Sequence, residues 1–599
     1  MYKILFAATT ILKILIFHKT DIMYSQPLLL SILTSFMFSV ATSQVLIKNT
    51  NVLDVEKKKI LTGYSVVVQE GRIISVDKDK QFKLAPGTTV IDGTGKYLIP
   101  GLTDAHVHFF QSGGLYARPD AIDLRKYRPY ADEIKWVHDH MEDFLRRYTR
   151  AGITSVIDVG ATLNFLSQKD SFSNKNYSPL ISMTGPLLTT WVPEQFKNLG
   201  KDAPFVEMTT EEDTRKAVRD QLPYKTDFIK IWYIVLDNDK EKGARKNLPL
   251  VQAAVDEAHK NNLRVAVHAT ERITAQLAVE AGADFLVHSV DDEIINNDFV
   301  QLLKKKNTVL CPTLVVAGNY GKVFGDTYHF TTDELNLSHP VTAGSIIDYP
   351  WPDTATGKFY INAMANPLNI KREMHTDSIM AVNLKKLLDA GVIIAAGTDA
   401  GNTGTQHVGS YFPELKAMQG AGMTNWQLLE AATINGAKAV NKQNEWGSIA
   451  KGKEANMVLL NANPLDSLAN WRTIEYVINK GTIWKPDSLL VNTPEMLAQQ
   501  QLNAYNAHDL EAFLAPYADD VELYELPGKL ISKGKELMRK DYTFIEKVPK
   551  LYCKILNRII QANMVIDQEE VWGFGDKPFY GIAIYVIENG RISKVYFQK

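Results

Sequence analysis

Gly101-Leu102-Thr103-Asp104-Ala105-His106-Val107-His108 ends an apolar run with two histidines separated by one residue. Side chains alternate faces along a strand, so positions i and i+2 present neighbouring imidazoles on the same side. Two such rings suit one metal ion, and a Lewis-acid metal with an open position makes a nucleophile from water at neutral pH. A lone His-x-His is more often an ordinary core or surface pair. The metal reading therefore depends on whether further ligands follow.

Further candidates do follow, each on a short apolar run of the kind that forms a buried parallel strand. The runs are Asp227-Phe228-Ile229-Lys230-Ile231, Arg264-Val265-Ala266-Val267-His268, Asp284-Phe285-Leu286-Val287-His288 and Val392-Ile393-Ile394-Ala395-Ala396-Gly397-Thr398-Asp399. Helical patterns lie between them, such as Thr270 to Gly282, where apolar residues recur at helical spacing and the glycine supplies a stop. Strand, ligand and helix in repetition predict an α/β fold, a (β/α)₈ TIM barrel with its chemistry at the C-terminal ends of the strands.

These motifs resemble the amidohydrolase superfamily of metal-dependent hydrolases, in its imidazolonepropionase-like branch that includes Xaa-Pro dipeptidase-type enzymes. The resemblance rests on Tyr97-Leu98-Ile99-Pro100-Gly101-Leu102-Thr103-Asp104-Ala105-His106-Val107-His108, on Phe228-Ile229-Lys230, on the strand-end His268 and His288, and on Ala396-Gly397-Thr398-Asp399-Ala400-Gly401. Leu428 to Ala437 and Gly447 to Asn456 resemble the last barrel helix and the return strand, so the likeness spans roughly residues 44 to 487. It implies that His106, His108 and Asp399 hold one divalent ion and His268 and His288 a second. Lys230 would bridge the two, zinc being the leading candidate metal. An ammonium cannot ligate a cation, so the bridging role requires Lys230 to be carboxylated to a carbamate. With an unmodified lysine, a single metal at the His106 and His108 side is expected instead.

The implied chemistry is hydrolysis of a carbon–nitrogen bond in an amide, cyclic amide or dipeptide by a metal-bound hydroxide, with Asp399 as general acid and base. Two alternatives remain open. The same site would serve a lactone or ester hydrolase, and the barrel could bind ligand without catalysis, with the C-terminal unit as an interaction module. Two departures bear on the dipeptide assignment. Thr270 stands where dipeptidase-like relatives carry a tyrosine, and Thr184-Gly185-Pro186-Leu187-Leu188 replaces an expected Gly-Gly-His element. Trp191, Trp232, Tyr233, Arg272 and His407 are candidate substrate contacts by location. The long segment from Ala317 to Thr376 exceeds an ordinary βα connection and is a candidate lid or helical excursion.

The chain has 599 residues, 45% of them hydrophobic and 22% charged, enough for several cores. A net charge of −2 gives no basic field for nucleic acid, and the two cysteines, Cys311 and Cys553, read as unpaired buried thiols. Residues 1–43 read as an apolar leader with a signal-peptide h-region from Pro27 to Val40 and small residues before Gln44, the true start being possible at Met23. That predicts a periplasmic or secreted protein without a stable membrane span after cleavage. The domain plan is a β-sandwich built from 44–98 and 441–487 on either side of a 99–440 barrel, then a linker at 488–495. Residues 496–599 resemble the nuclear-transport-factor-like α+β cone shared by SnoaL-type cyclases and ketosteroid isomerases. Cones of this type commonly dimerise, so a homo-oligomer is expected. Glu525 lies close to where the isomerase-like relatives carry a general base, and His508 and Asp509 read as a helix boundary.

Overall fold

The computed structural model describes residues 44–598 apart from 79–81 and 83, so the expected leader at 1–43 lies outside the described residues. Strands Leu102–Val107, Ile153–Asp158 and Leu180–Met183 pair in parallel in that order. Strands Leu187–Thr189, Phe228–Trp232, Arg264–His268, Phe285–Val287 and Val309–Cys311 continue in parallel, with Phe205–Glu207 on the outer edge. The two groups join where Asp227 N donates to Met183 O (3.0 Å) and Met183 N donates to the Asp227 carboxylate (2.7 Å).

Closure falls to residues 393–399. Leu310 N donates to Ile393 O (2.9 Å) and Ala395 N to Leu310 O (2.8 Å), whereas Ala105 N donates to Ala396 O (2.9 Å) and Asp399 N to His106 O (2.7 Å). Backbone hydrogen bonds thus run from the first strand round to this segment and back. The segment is less regular than the strand expected over Val392–Asp399. It makes the bridge Leu310↔Ile394 only, because Ala396 N turns to Ala431 O (2.9 Å) and Asp399 takes a φ of 63°.

Each strand's period of two explains why ligands end up beside a packed interior. Phe228 and Ala266 fall on the same faces as Lys230 and His268, and they belong to an apolar cluster with Ala105, Ile157, Phe285, Val309, Cys311 and Ala395. Small and large residues alternate there, so the ring is filled rather than hollow. A larger cluster packs the outer faces of the strands against the helices, of which Tyr130–Arg150 contributes Val137, Met141, Phe144 and Tyr148.

Strands from both flanks of the barrel share one eight-stranded mixed sheet with its own core. Tyr97–Pro100 pairs with Gln44–Asp54 on one side and with Met457–Leu460 on the other, which makes the sheet continuous where a two-layered sandwich was expected. The C-terminal part is α+β. Its six strands run in the order Lys529–Lys533, Tyr517–Glu525, Arg591–Gln598, Phe579–Glu588, Met564–Trp572 and Tyr552–Gln561, and the helix Pro494–Asn506 packs on them. Both cysteines are free and buried.

The long segment after Val309–Cys311 is helical: Val316–Phe324, Thr332–Leu337, Pro340–Ile347, Thr354–Met364 and Pro367–Ala390. It is not merely solvated. Phe324, Leu335, Ala343 and Ile346 share a core with Leu497, Ala498, Phe513 and Leu523 of the C-terminal part. Trp351 stacks on Tyr552 at 5.3 Å, Tyr552 Oη donates to Asp348 (2.7 Å), and Asn503 Nδ2 donates to Pro340 O (2.6 Å).

Gly397 sets how closely the closing segment approaches the first strand. A Cβ there would lie 2.6 Å from His106 N and 2.7 Å from Cys311 Sγ. Gly397→Ala is therefore expected to destabilise the barrel by about 1–3 kcal/mol. Denaturant unfolding followed by tryptophan fluorescence will read this as a lower midpoint, and an unchanged midpoint would contradict the close approach.

Candidate metal centre

The His106 and His108 side chains meet Asp399 at the end of the barrel. Asp399 Oδ1 lies 3.1 Å from both Nε2 atoms, and the two Nε2 atoms are 3.3 Å apart. These three residues are buried, and one ligand atom from each falls within 4.8 Å of the others. His288 Nε2 is 4.0 Å from the other Asp399 oxygen, and its ring centroid is 4.3 Å from that of His268. Lys230 lines the same cavity as His108, His268, His288 and Asp399. The structure thus gathers all six expected residues in one place.

The surroundings aim these groups. His108 Nδ1 donates to Gly160 O (2.8 Å), leaving its Nε2 lone pair toward Asp399. Gly160 is itself held because Asp158 accepts from Gly160 N (3.1 Å) and Phe109 N (3.0 Å). Asp104 accepts from Thr398 Oγ1 (2.8 Å) and Thr398 N (3.0 Å), fixing the residue before Asp399. His288 Nδ1 contacts Thr313 Oγ1 at 2.7 Å. The loop after Thr313 is clamped by Glu414, which accepts from Leu314 N (2.9 Å) and Val315 N (3.0 Å). His288, Thr313 and Asp399 have φ values of 76°, 47° and 63°, left-handed conformations that cost non-glycine residues about 1–3 kcal/mol each.

Electrostatics agree with a ligand set. Burial lowers His106 to about 4 and holds His268 and His288 well below the usual imidazole range, so the rings are neutral at pH 7. Burial alone would raise Asp399, but the contacts with His106, His108 and His288 outweigh it and keep the carboxyl ionised. Burial lowers the Lys230 amine to about 7, and no carboxylate lies within ion-pair range of it among the described residues. Neutral imidazoles with an ionised carboxylate are the protonation states a divalent ion requires. Asp399 Oδ1 is also buried without a hydrogen-bond donor. The residues present fit such an ion, and a neutral lysine amine is the form that reacts with carbon dioxide to give a carbamate.

The cavity beside them measures about 270 Å³. Phe110, Leu187, Phe205, Trp232, Val316 and Met380 supply its apolar wall, and Arg118, Asp291 and Asn402 its polar groups. Arg118 is held by Asp120 through Nε (2.8 Å) and Nη2 (2.6 Å) and donates to Tyr320 Oη (2.9 Å). Asn402 Nδ2 donates to Asp399 O (3.0 Å). Burial raises Asp291 to about 6.

Four of the five expected substrate contacts fall elsewhere, and Trp232 alone lines the cavity. Trp191 is 39% exposed. Tyr233 is buried with its hydroxyl donating to Ala244 O (2.5 Å), and Arg272 is drawn to Glu293 (2.5 Å) and Gln276 (2.6 Å). His407 packs on Phe109 and is bonded to Tyr148 Oη (3.0 Å) and Gln111 O (2.9 Å), a structural role. Sequence reasoning missed Arg118, Asp158, Asp291 and Glu414. Arg118, Asp291 and Glu414 lie beyond strand ends where no short motif marks them, and the one available signal was Asp158 at the end of an apolar strand.

A sequence model of the amidohydrolase family matches residues 97–484, more than half of the chain. The chain belongs to the amidohydrolase family. A model of the SnoaL-like domain matches residues 498–595. Among curated relatives of this family member, adenine deaminase of Ruegeria pomeroyi is 37% identical over 73 residues, 12% of each chain. Imidazolonepropionase of a Geobacillus species is 42% identical over 81 residues, 13% of this chain and 19% of that one. The match to the adenine deaminase thus covers about an eighth of that relative's length. A solved Xaa-Pro dipeptidase with methionine in its active site shares 22% identity at a TM-score of 0.54, over 74% of this chain and all of that one. Aspergillus niger ochratoxinase shares 18% identity at a TM-score of 0.56, over 74% of this chain and 96% of the other. Both likenesses concern the fold, which is of TIM-barrel type.

Removing the Thr313 hydroxyl leaves His288 without its orienting partner. Thr313→Val is expected to weaken divalent-metal binding about 10- to 100-fold with little change in secondary structure. Titration against a competing chelator will read the loss, and an unchanged affinity would remove Thr313 from the support of the site.

Proposed function

We propose that this amidohydrolase is a metal-dependent hydrolase of carbon–nitrogen bonds in small amides, cyclic amides or dipeptides. The observation that carries this reading is the convergence of His106, His108, Asp399, His268, His288 and Lys230 on one cavity at strand ends. His106, His108 and Asp399 would hold one divalent ion and His268 and His288 a second, bridged by a carboxylated Lys230, with zinc the first metal to test. Bound there, such ions supply Lewis acidity and a nucleophile from water at neutral pH.

The chain's own residues do the rest. Asp399, ionised and facing both histidine pairs, takes a proton from the attacking water and returns it to the leaving nitrogen. His108 and His288 are held in place through Gly160 and Thr313, so no side chain has to reorient as the reaction proceeds. The apolar wall around Trp232 and Phe205 excludes water and accepts a hydrophobic group next to the scissile bond. Thr270 and Asp291 line the side where dipeptidase-like relatives were expected to present a tyrosine, so a non-peptide amide is as good a first substrate as a dipeptide.

We place the protein outside the cytoplasm, on the leader reading of residues 1–43, and no helix among the described residues is long and apolar enough to cross a membrane. Self-association through the C-terminal sheet is supported by the exposed Leu556, Ile559 and Ile560 on the strand Tyr552–Gln561.

Protein purified with bicarbonate is expected to carry about two equivalents of divalent metal, falling to one or none in Lys230→Ala. Chelation should abolish hydrolysis of N-acyl amino acids and dipeptides, and zinc or manganese should restore it. Elemental analysis paired with an amide and lactone panel decides the matter: no bound metal after reconstitution overturns the hydrolase reading. Turnover of lactones with no amide turnover would move the assignment to ester chemistry.

A further inference from the structure

The C-terminal part encloses a cavity of about 490 Å³, larger than the one beside the metal ligands. Its wall is aromatic. Tyr505, Phe513, Tyr542 and Phe544 form a ring cluster, with Phe513 and Tyr542 stacked at 5.0 Å and Tyr542 tilted against Phe544 at 5.4 Å. The ionisable carboxyl groups on this wall are Glu569 and Asp541, and no lysine, arginine or histidine lines it. Glu525, expected to lie near a general base, is not part of the wall. It is exposed and paired with Lys529 (3.2 Å).

Glu569 is held in a directional chain. Gln501 Nε2 donates to Tyr585 Oη (2.9 Å), and Tyr585 donates in turn to Glu569 Oε1 (3.1 Å). No donor among the described residues reaches its other oxygen. The nearest cation is already committed, because Arg558 forms a two-point pair with Asp567 through Nε and Nη2, both at 2.7 Å. A carboxyl oriented into an aromatic cavity with one oxygen open and no cation beside it lacks a positively charged partner.

We propose that this cavity is a second ligand site, separate from the metal centre, that binds a hydrophobic amine with its ammonium against Glu569 and its hydrocarbon body against the aromatic rings. The faces of Tyr and Phe rings attract a cation, and the carboxylate gives it direction. A neutral carbonyl compound, accepting a proton from an un-ionised Glu569, is the rival ligand. Burial pushes Glu569 up to about 7, the neighbouring Asp567 adds to this, and the Tyr585 hydrogen bond and Arg558 oppose it. Tyr517, Tyr542 and Cys553 face it as un-ionised groups, their own ionisation pushed up by burial. The ionised fraction rises about tenfold between pH 6 and pH 8, and amine binding should tighten by the same factor, whereas a carbonyl ligand should weaken.

The test is calorimetric titration of the full-length protein with 4-phenylbutylamine and with the uncharged 4-phenylbutan-1-ol. At pH 8 the amine is expected to bind at least tenfold tighter than the alcohol. Glu569→Gln should weaken the amine at least tenfold while leaving the alcohol within about twofold. Tyr585→Phe removes a hydrogen bond that lowers Glu569, so it should move the midpoint of amine binding to higher pH, and it serves as the readout if Glu569→Gln fails to fold. Equal affinity for alcohol and amine overturns the proposal, as does amine binding that neither variant alters or that strengthens on acidification. Failure of these outcomes leaves the metal analysis of the barrel untouched, so the two readings are tested independently.

Discussion

Six polar side chains withdrawn from water at one end of a parallel ring are the constraint on which the rest of the structure depends. A buried carboxylate is expensive to keep ionised, and a buried lysine amine is expensive to keep charged. Asp399 and Lys230 face that cost together with His106, His108, His268 and His288, and a divalent ion is the group that would relieve it. The neighbouring acids Asp104, Asp158 and Glu414 are all spent on backbone N–H groups. They act as clamps on the loops that carry the ligands. This is why three of the site's residues can occupy left-handed backbone conformations without relaxing.

The convergence of the six expected residues was legible in sequence because strand ends in a parallel barrel are marked by apolar runs, and because a period of two decides which side chain faces inward. Phe228 and Lys230, or Ala266 and His268, could be assigned to one face from spacing alone. The cavity wall was not legible in the same way. Arg118 and Tyr320 come from a loop and a helix far apart in the chain, brought together by a hydrogen bond that no local pattern encodes. Tyr233 follows the strand Phe228–Trp232, yet the backbone of the helix Lys240–Lys260 takes its hydroxyl, so adjacency to a ligand strand was a poor guide to facing the substrate.

The two cavities differ in the same physical terms. Beside the candidate metal ligands, positive and negative groups converge, with Arg118 and Asp291 lining a small apolar slot. In the C-terminal part, the acids Glu569 and Asp541 stand among rings with no cation on the wall. Proximity to the expected general-base position pointed to Glu525, but a strand residue's face is set by register, and Glu525 pairs with Lys529 in the open, leaving Glu569, on the strand Met564–Trp572 of the same sheet, to face the cavity. The contact between the barrel and the C-terminal part was not readable from sequence, since it runs through the helical segment that follows the strand Val309–Cys311.

That segment ties together stretches of chain that leave the ribosome far apart in time. Val316 and Tyr320 wall the metal-site cavity, while Phe324, Leu335 and Ile346 bury their side chains against Leu497 and Phe513. A nascent chain long enough to have emitted the whole barrel would still hold an open apolar face there. Synthesis would have to proceed past Phe513 before that face is covered and the cavity wall can settle. Assembly of the barrel cavity is thereby timed by residues made well after the barrel itself, so chains truncated before Leu497 should resemble an unfinished chain and recruit the same folding helpers.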